Sequence, residues 1–143
     1  MNVRDLLASK GSSAVFTIRP DATVSDLLDA FAEHNIGALV VSLDGRTMLG
    51  IVSERDVVRK LRTVVDARNA TVDSIMSVDP HVCSPDDSFG SLMAVMTEHR
   101  VRHVPVLDDG QLIGVLSIGD AVKQRLSELE FERDQLNRYV SGG

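Results

Sequence analysis

Residues Gly50–Val58 read GIVSERDVV and residues Gly114–Val122 read GVLSIGDAV, so a glycine, two apolar residues, a serine and an aspartate recur in one order. A serine followed three residues later by an acidic side chain is the pattern of a capping box, in which hydroxyl and carboxylate satisfy the free N–H groups of a helix's first turn. The same N–H groups and the positive end of the helix also favour an anion, and an ionised carboxylate accepts from two vicinal hydroxyls at once. The motif is therefore a helix start, a ligand site, or both. What surrounds it bears on the choice.

Working outward from the motif, the two halves of the 143-residue chain align. Pro20 matches Pro85 at an offset of 65, and Asp21 with Asp86, Thr23 with Ser88, Leu28 with Met93, Phe31 with Met96, His34 with His99, Ile36 with Val101, Val41 with Val106 and Gly45 with Gly110 keep that offset. It falls to 64 at Gly50 and Gly114, Ser53 and Ser117, and Asp56 and Asp120. One extra residue thus sits in the first hairpin loop, where insertions are tolerated.

Each copy reads strand, helix, strand, strand, helix. AVFTI (14–18) and PHVCS (80–84) are short apolar strands, each closed by a Pro-Asp pair that suits a turn and leads to a helix cap. Val24, Leu27, Leu28 and Phe31, and again Phe89, Leu92, Met93 and Met96, recur at helical spacing and predict buried helix faces. IGALVVS with MLGIVS, and VRHVPVL with LIGVLS, predict hairpins of largely buried strands around DGR and DDGQ turns. Neither copy is large enough to cover its own sheet. The expected fold is α/β (α+β): tandem β-α-β-β-α repeats packed sheet against sheet with pseudo-two-fold symmetry. ATVDSIM in the connection resembles NVRDLLA near the N-terminus, so a helical lead-in precedes each repeat. The organisation this predicts is a lead-in helix at 1–12, repeats at 13–63 and 79–126, a linker with a short helix at 64–78, and a long C-terminal helix at 119–140.

Composition narrows the functions. Hydrophobic residues are 43% and charged residues 25%, as in a folded globular domain. Aromatic residues are 3% with no Trp, and the net charge is −6, so neither base stacking nor a basic face is on offer and nucleic acid is not expected as a partner. MNVRDLLASKG carries Arg4, Asp5 and Lys10 and no apolar run, which fits neither a secretion signal nor a membrane span and points to the cytoplasm. The single cysteine, Cys83, suits a reducing compartment and reads as a small apolar strand residue. His34, His81, His99 and His103 lack the spacing of a metal site. His34 and His99 end equivalent helices, where a cation complements the dipole.

The doubled unit, with HRVRHVPV ahead of GQLIGVLSIGD in the second copy and HNIGALVV ahead of LGIVSERD in the first, resembles the tandem CBS domain, named for cystathionine β-synthase. The NVRDLLASKG opening and the long closing helix are similar to the small stand-alone bacterial members. The resemblance implies a regulatory module, not an enzyme, that needs no cofactor and binds AMP, ADP, ATP, NAD(H) or S-adenosylmethionine in two clefts between the repeats. Asp56 and Asp120 would then accept from a ribose diol, and Ser53 and Ser117 would face the ribose or phosphate. Adenine would lie against Ile36, Gly37 and Ala38, or against Val101, Arg102 and His103, with Thr17 and Val82 closing the pockets.

Charge separates the copies. Arg100 and Arg102 alternate on one face if their strand is regular, and two guanidinium groups suit a phosphate; a solvated strand edge is the other reading. In the first copy Gly37, Ala38 and Val40 replace Arg102, His103 and Pro105, leaving Arg55 as the nearby charge. Unless one repeat reaches across to the other, the cleft with Asp120 is the expected phosphate binder. In the last helix Val122, Leu126, Leu129, Arg133, Leu136 and Val140 step by four and three, with an Asp134–Arg138 pair at the favourable spacing. That stripe either packs back on its own module or joins a homodimer. Three function classes remain: a nucleotide sensor acting on an unidentified regulated protein, a dimerisation scaffold without ligand, and, with no nucleophile–base pair or Gly-rich phosphate loop visible, least of all an enzyme.

Overall fold

Each Pro-Asp turn is followed by a capped helix. Helix α2 (Val24–His34) starts at Thr23, whose hydroxyl accepts from the Asp26 N–H while the Asp26 carboxylate accepts from the Thr23 N–H. Helix α4 (Phe89–Glu98) starts at Ser88. Both end in a left-handed residue at matching positions, Asn35 (φ 52°) and Arg100 (φ 54°). The computed structural model describes residues 1–10 and 15–142; the part of the first strand expected at Ala14 and the end of the expected lead-in helix lie outside them.

In the first repeat β1 (Thr17–Ile18) runs parallel to β2 (Ala38–Val41), which pairs antiparallel with β3 (Gly50–Ser53). In the second, β4 (His103–Asp108) and β5 (Gln111–Ser117) form an antiparallel pair. The strand expected at 80–84 is reduced to one parallel bridge, Cys83 to Val106, which matches the Ile18–Val41 pairing of the first repeat. The hairpin turns differ as the alignment predicted. Asp109 and Gly110 both have positive φ, the geometry of a tight two-residue turn. The first loop is longer and is tied by Asp44, whose carboxylate accepts from the Thr47 and Arg46 N–H groups and is held well below the usual carboxylate range by them.

Helix faces build two cores. Val24, Leu27 and Phe31 of α2 pack with Leu39, Val41, Val52 and Val57; Phe89, Leu92 and Met96 of α4 pack with Val104, Val106 and Leu116. Leu28 and Met93, expected on these faces, are only partly buried at the margins. Burying a side chain such as Leu27 stabilises by about 2 kcal/mol. Val40 is fully buried yet belongs to neither core. Alternation turns it and Ala38 away from α2, so the second face of β2 is covered by the other repeat.

The lead-ins cross over. Helix α1 (Val3–Ser9), in front of the first repeat, donates from Val3 N to the Asp87 carbonyl (2.8 Å) and from Arg4 N to the Pro85 carbonyl (2.9 Å), and places Val3 and Leu6 in the second core. In the connection, two 3-10 turns (Ala67–Asn69 and Val72–Ser74) stand where one short helix was expected. Val72 N donates to the Ala22 carbonyl (2.8 Å), Asp73 N donates to the Pro20 carbonyl (3.0 Å), and Val72 joins the first core. The two repeats are thereby interlocked. Helix α3 (Glu54–Leu61) closes the first repeat and α5 (Ile118–Ser141) the second.

Candidate ligand clefts

Both copies of the opening motif are helix starts. Ser53 and Ser117 are N-caps in extended conformation. The Ser53 N–H donates to Asp56 Oδ2 at 2.8 Å and its hydroxyl at 3.1 Å. The Ser117 N–H donates to Asp120 Oδ2 at 2.8 Å and its hydroxyl at 3.0 Å, while the Asp120 N–H donates back to Ser117 Oγ at 3.1 Å. The cap occupies one carboxylate oxygen. Among the described residues no donor reaches Oδ1 of either aspartate, and neither atom is sealed from solvent.

Each helix start borders a cavity between the repeats. The Asp120 cleft has a volume of about 630 Å³ and takes Asn35, Ile36, Gly37 and Ala38 from the first repeat and His103, Ser117 and Asp120 from the second. The Asp56 cleft, of about 420 Å³, takes Ser53, Arg55 and Asp56 from the first repeat and Arg100, Val101, Arg102 and His103 from the second. Gly37, Ala38 and His103 border both. The strand entry of each repeat thus faces the helix start of the other, although its backbone is bonded to its own: Glu54 N–H to the Gly37 carbonyl (3.0 Å) and Ile118 N–H to the Arg102 carbonyl (2.8 Å).

This arrangement overturns the expected charge asymmetry. Arg100 and Arg102 line the cleft of Asp56, together with Arg55 and Arg59, and not the cleft of Asp120. The alternation argument also fails, because β4 begins at His103 and Arg100 is left-handed, so the pair is not in regular strand. Three of the expected site residues line neither cavity. Thr17 pairs with Val40 inside the sheet, Val82 is exposed, and Pro105 is buried with its carbonyl accepting from the Cys83 N–H at 3.0 Å. The residues preceding Thr17 and Val82 take the places assigned to those two: Val15 and Phe16 in one cleft, Pro80 and His81 in the other.

Among the cleft residues that sequence reasoning missed are Arg59, in the Asp56 cleft, and Lys10. Its ammonium donates to Asp120 Oδ2 at 3.0 Å and to the Val115 carbonyl at 2.8 Å, in the wall of the Asp120 cleft. The match of NVRDLLA with ATVDSIM, extended, sets Lys10 against Val78, whereas the equivalent backbone bonds of Val3 to Asp87 and of Val72 to Ala22 shift the register by one and set Lys10 against Asp79, which lines the Asp56 cleft. Burial opposes the charge of Asp120, but the Ser117 N–H and then Lys10 outweigh it, and the carboxyl lies below its ordinary value. Burial lowers the pKa of His103 against the opposing pull of Asp120 and Glu54. Cys83 is buried and its thiol is pushed up to about 11 by burial and by Asp87, so it is an inert core group.

Two interlocked β-α-β-β-α repeats with a carboxylate-capped helix start in each of two clefts define a paired-repeat module. The chain belongs to the CBS-domain family, whose model matches residues 3–63 and 72–127. It is 36% identical to the mitochondrial CBS domain-containing protein CBSX3 of Arabidopsis thaliana, over 99% of this chain and 72% of that one. The crystal structure of the CBS domain NE2398 is 40% identical with a TM-score of 0.82, covering 88% of this chain and 98% of that one. More distant in sequence, and alike in fold, are CBSX2 in complex with AMP (24% identity, TM-score 0.74) and the CBS pair of MJ0100 in complex with 5-methylthioadenosine and S-adenosyl-L-methionine (20%, 0.75).

Proposed function

We propose that the protein is a regulatory module that senses adenosine nucleotides, with the Asp56 cleft binding the ligand richer in phosphate. The observation that carries this reading is the convergence of Arg55, Arg59, Arg100 and Arg102 on the cavity that Asp56 borders. Guanidinium forks hold phosphate oxygens in pairs, and the apolar entry at Val101 supplies a face for adenine. The AMP of CBSX2 and the S-adenosyl-L-methionine of MJ0100 support an adenosine ligand as the class; AMP, ADP, ATP and NAD(H) all fit it. A ligand bridging two repeats favours one relative arrangement of them, which is how binding would be passed to a partner. We read the protein as a cytoplasmic binding module rather than an enzyme. Its one buried thiol is in keeping with a reducing compartment.

A homodimer through α5 belongs to the same reading. Leu126, Leu129, Leu136 and Val140 are exposed along the helix, whose buried contact with its own body is Ala121. Calorimetric titration of AMP, ATP and NAD into the protein tests the sensor: binding is expected, and no heat and no thermal shift at millimolar ligand would leave a scaffold without ligand.

A further inference from the structure

We propose that Lys10 sets the ligand class of the Asp120 cleft, admitting a nucleoside that carries an anionic 5′ group and refusing the bare nucleoside. The proposal rests on the adenosine-binding reading of that cleft. The Lys10 ammonium holds Oδ2 of the carboxylate that a ribose diol needs, at 3.0 Å. Both groups are largely withdrawn from water, with side chains 29% and 23% exposed. A neutral ribose diol that spans both carboxylate oxygens must compete with the ammonium for Oδ2, and displacing it would leave a half-buried cation with the Val115 carbonyl alone, a loss that binding would have to overcome. A 5′ phosphate changes the balance, because the displaced ammonium has an anion to receive it. The lysine stem can make that move while its backbone stays fixed by the Lys10 N–H bond to the Leu7 carbonyl.

No other fixed cation competes for the role among the described residues that line this cleft. His103 is its remaining titratable base, and burial holds it toward the neutral form. The pseudo-symmetric position in the other cleft is Asp79, where the cations come from arginines instead. Lys10 therefore gives the Asp120 cleft a single positive charge, suited to a nucleoside monophosphate, beside a cleft suited to a polyphosphate.

The test titrates adenosine and AMP into Asp56→Ala protein, in which the other cleft is weakened. AMP is expected to bind at least about tenfold more tightly than adenosine. Adding Lys10→Met should bring the two within about threefold, whereas Lys10→Arg, which keeps the charge, should preserve the preference. An AMP-to-adenosine ratio unchanged by Lys10→Met, or equal affinities in Asp56→Ala protein, would overturn the proposal. So would nucleotide binding by the wild type that disappears entirely with Asp56→Ala, since the Asp120 cleft would then take neither ligand. Absence of binding by the wild type to any adenosine compound would instead remove the reading on which the proposal stands.

Discussion

The imidazole rings of His81 and His99 stack with centroids 3.9 Å apart and planes 18° apart, and at the same two positions of the first repeat Phe16 stacks on His34 with the same spacing and angle. Each stack joins the end of a helix to the segment that walls a cleft. Aromatic pairs of this kind are worth about 1 kcal/mol beyond the area they bury. His34→Ala and His99→Ala should each lower stability by about that amount in chemical denaturation, and His81→Phe, which copies the first repeat, should be neutral or stabilising.

The order of the two aspartates in nucleotide binding follows from where the arginines lie. For ATP, Asp56→Ala should weaken binding more than Asp120→Ala. Arg100→Ala combined with Arg102→Ala should cost at least about tenfold and flatten the salt dependence, since charge-assisted phosphate bonds are lost. Calorimetry at two ionic strengths checks this, and equal losses from the two aspartates would contradict the inequality of the clefts.

Acid should destabilise the protein through His103. Burial lowers its folded-state pKa below the ordinary 6.5, against Asp120 and Glu54, which raise it, and with Arg102 and Lys10, which lower it. The unfolded chain therefore binds the proton first, and stability present above pH 6.5 is lost as pH falls through 6.5 toward the lower folded value. His103→Gln should flatten the urea midpoint across that window. The Asp120 carboxyl, lowered from 3.8, loses its own contribution only at still lower pH.

The two motif glycines are not equivalent. A β-carbon on Gly50 would lie 2.5 Å from the Ser77 carbonyl oxygen, which is backbone, whereas one on Gly114 would lie 2.6 Å from a methyl carbon of Leu7, which can turn aside. Gly50→Ala should therefore destabilise by about 2 kcal/mol and Gly114→Ala by clearly less, as thermal unfolding would report.

Truncation after Gln124 removes the exposed stripe of α5 and should convert a dimer to a monomer in sedimentation. An unchanged dimer mass would place the contact elsewhere. The alternative that the stripe packs back on its own module does not hold, because Leu126, Leu136 and Val140 are 55%, 65% and 79% exposed. The expected Asp134–Arg138 pair is also replaced, by Arg133 with Asp134 at 3.4 Å.

Local chemistry made much of this legible in the chain alone. Apolar spacing located α2 and α4, the serine–aspartate motif located the starts of α3 and α5, and the 65-residue offset between Pro20 and Pro85 revealed two copies of one unit. Each of these is a short-range rule, set by helical periodicity, capping or turn geometry. Which copy's side chains meet which helix start is not short-range. It depends on how two sheets pack across an axis, and that packing carried Arg100 and Arg102 to Asp56, brought α1 to the second core, and set Lys10 against Asp120. The recurring motif is therefore a helix cap in both copies, as its residues foretold, while the charge around each copy is lent by the other repeat because neither buries its sheet without it.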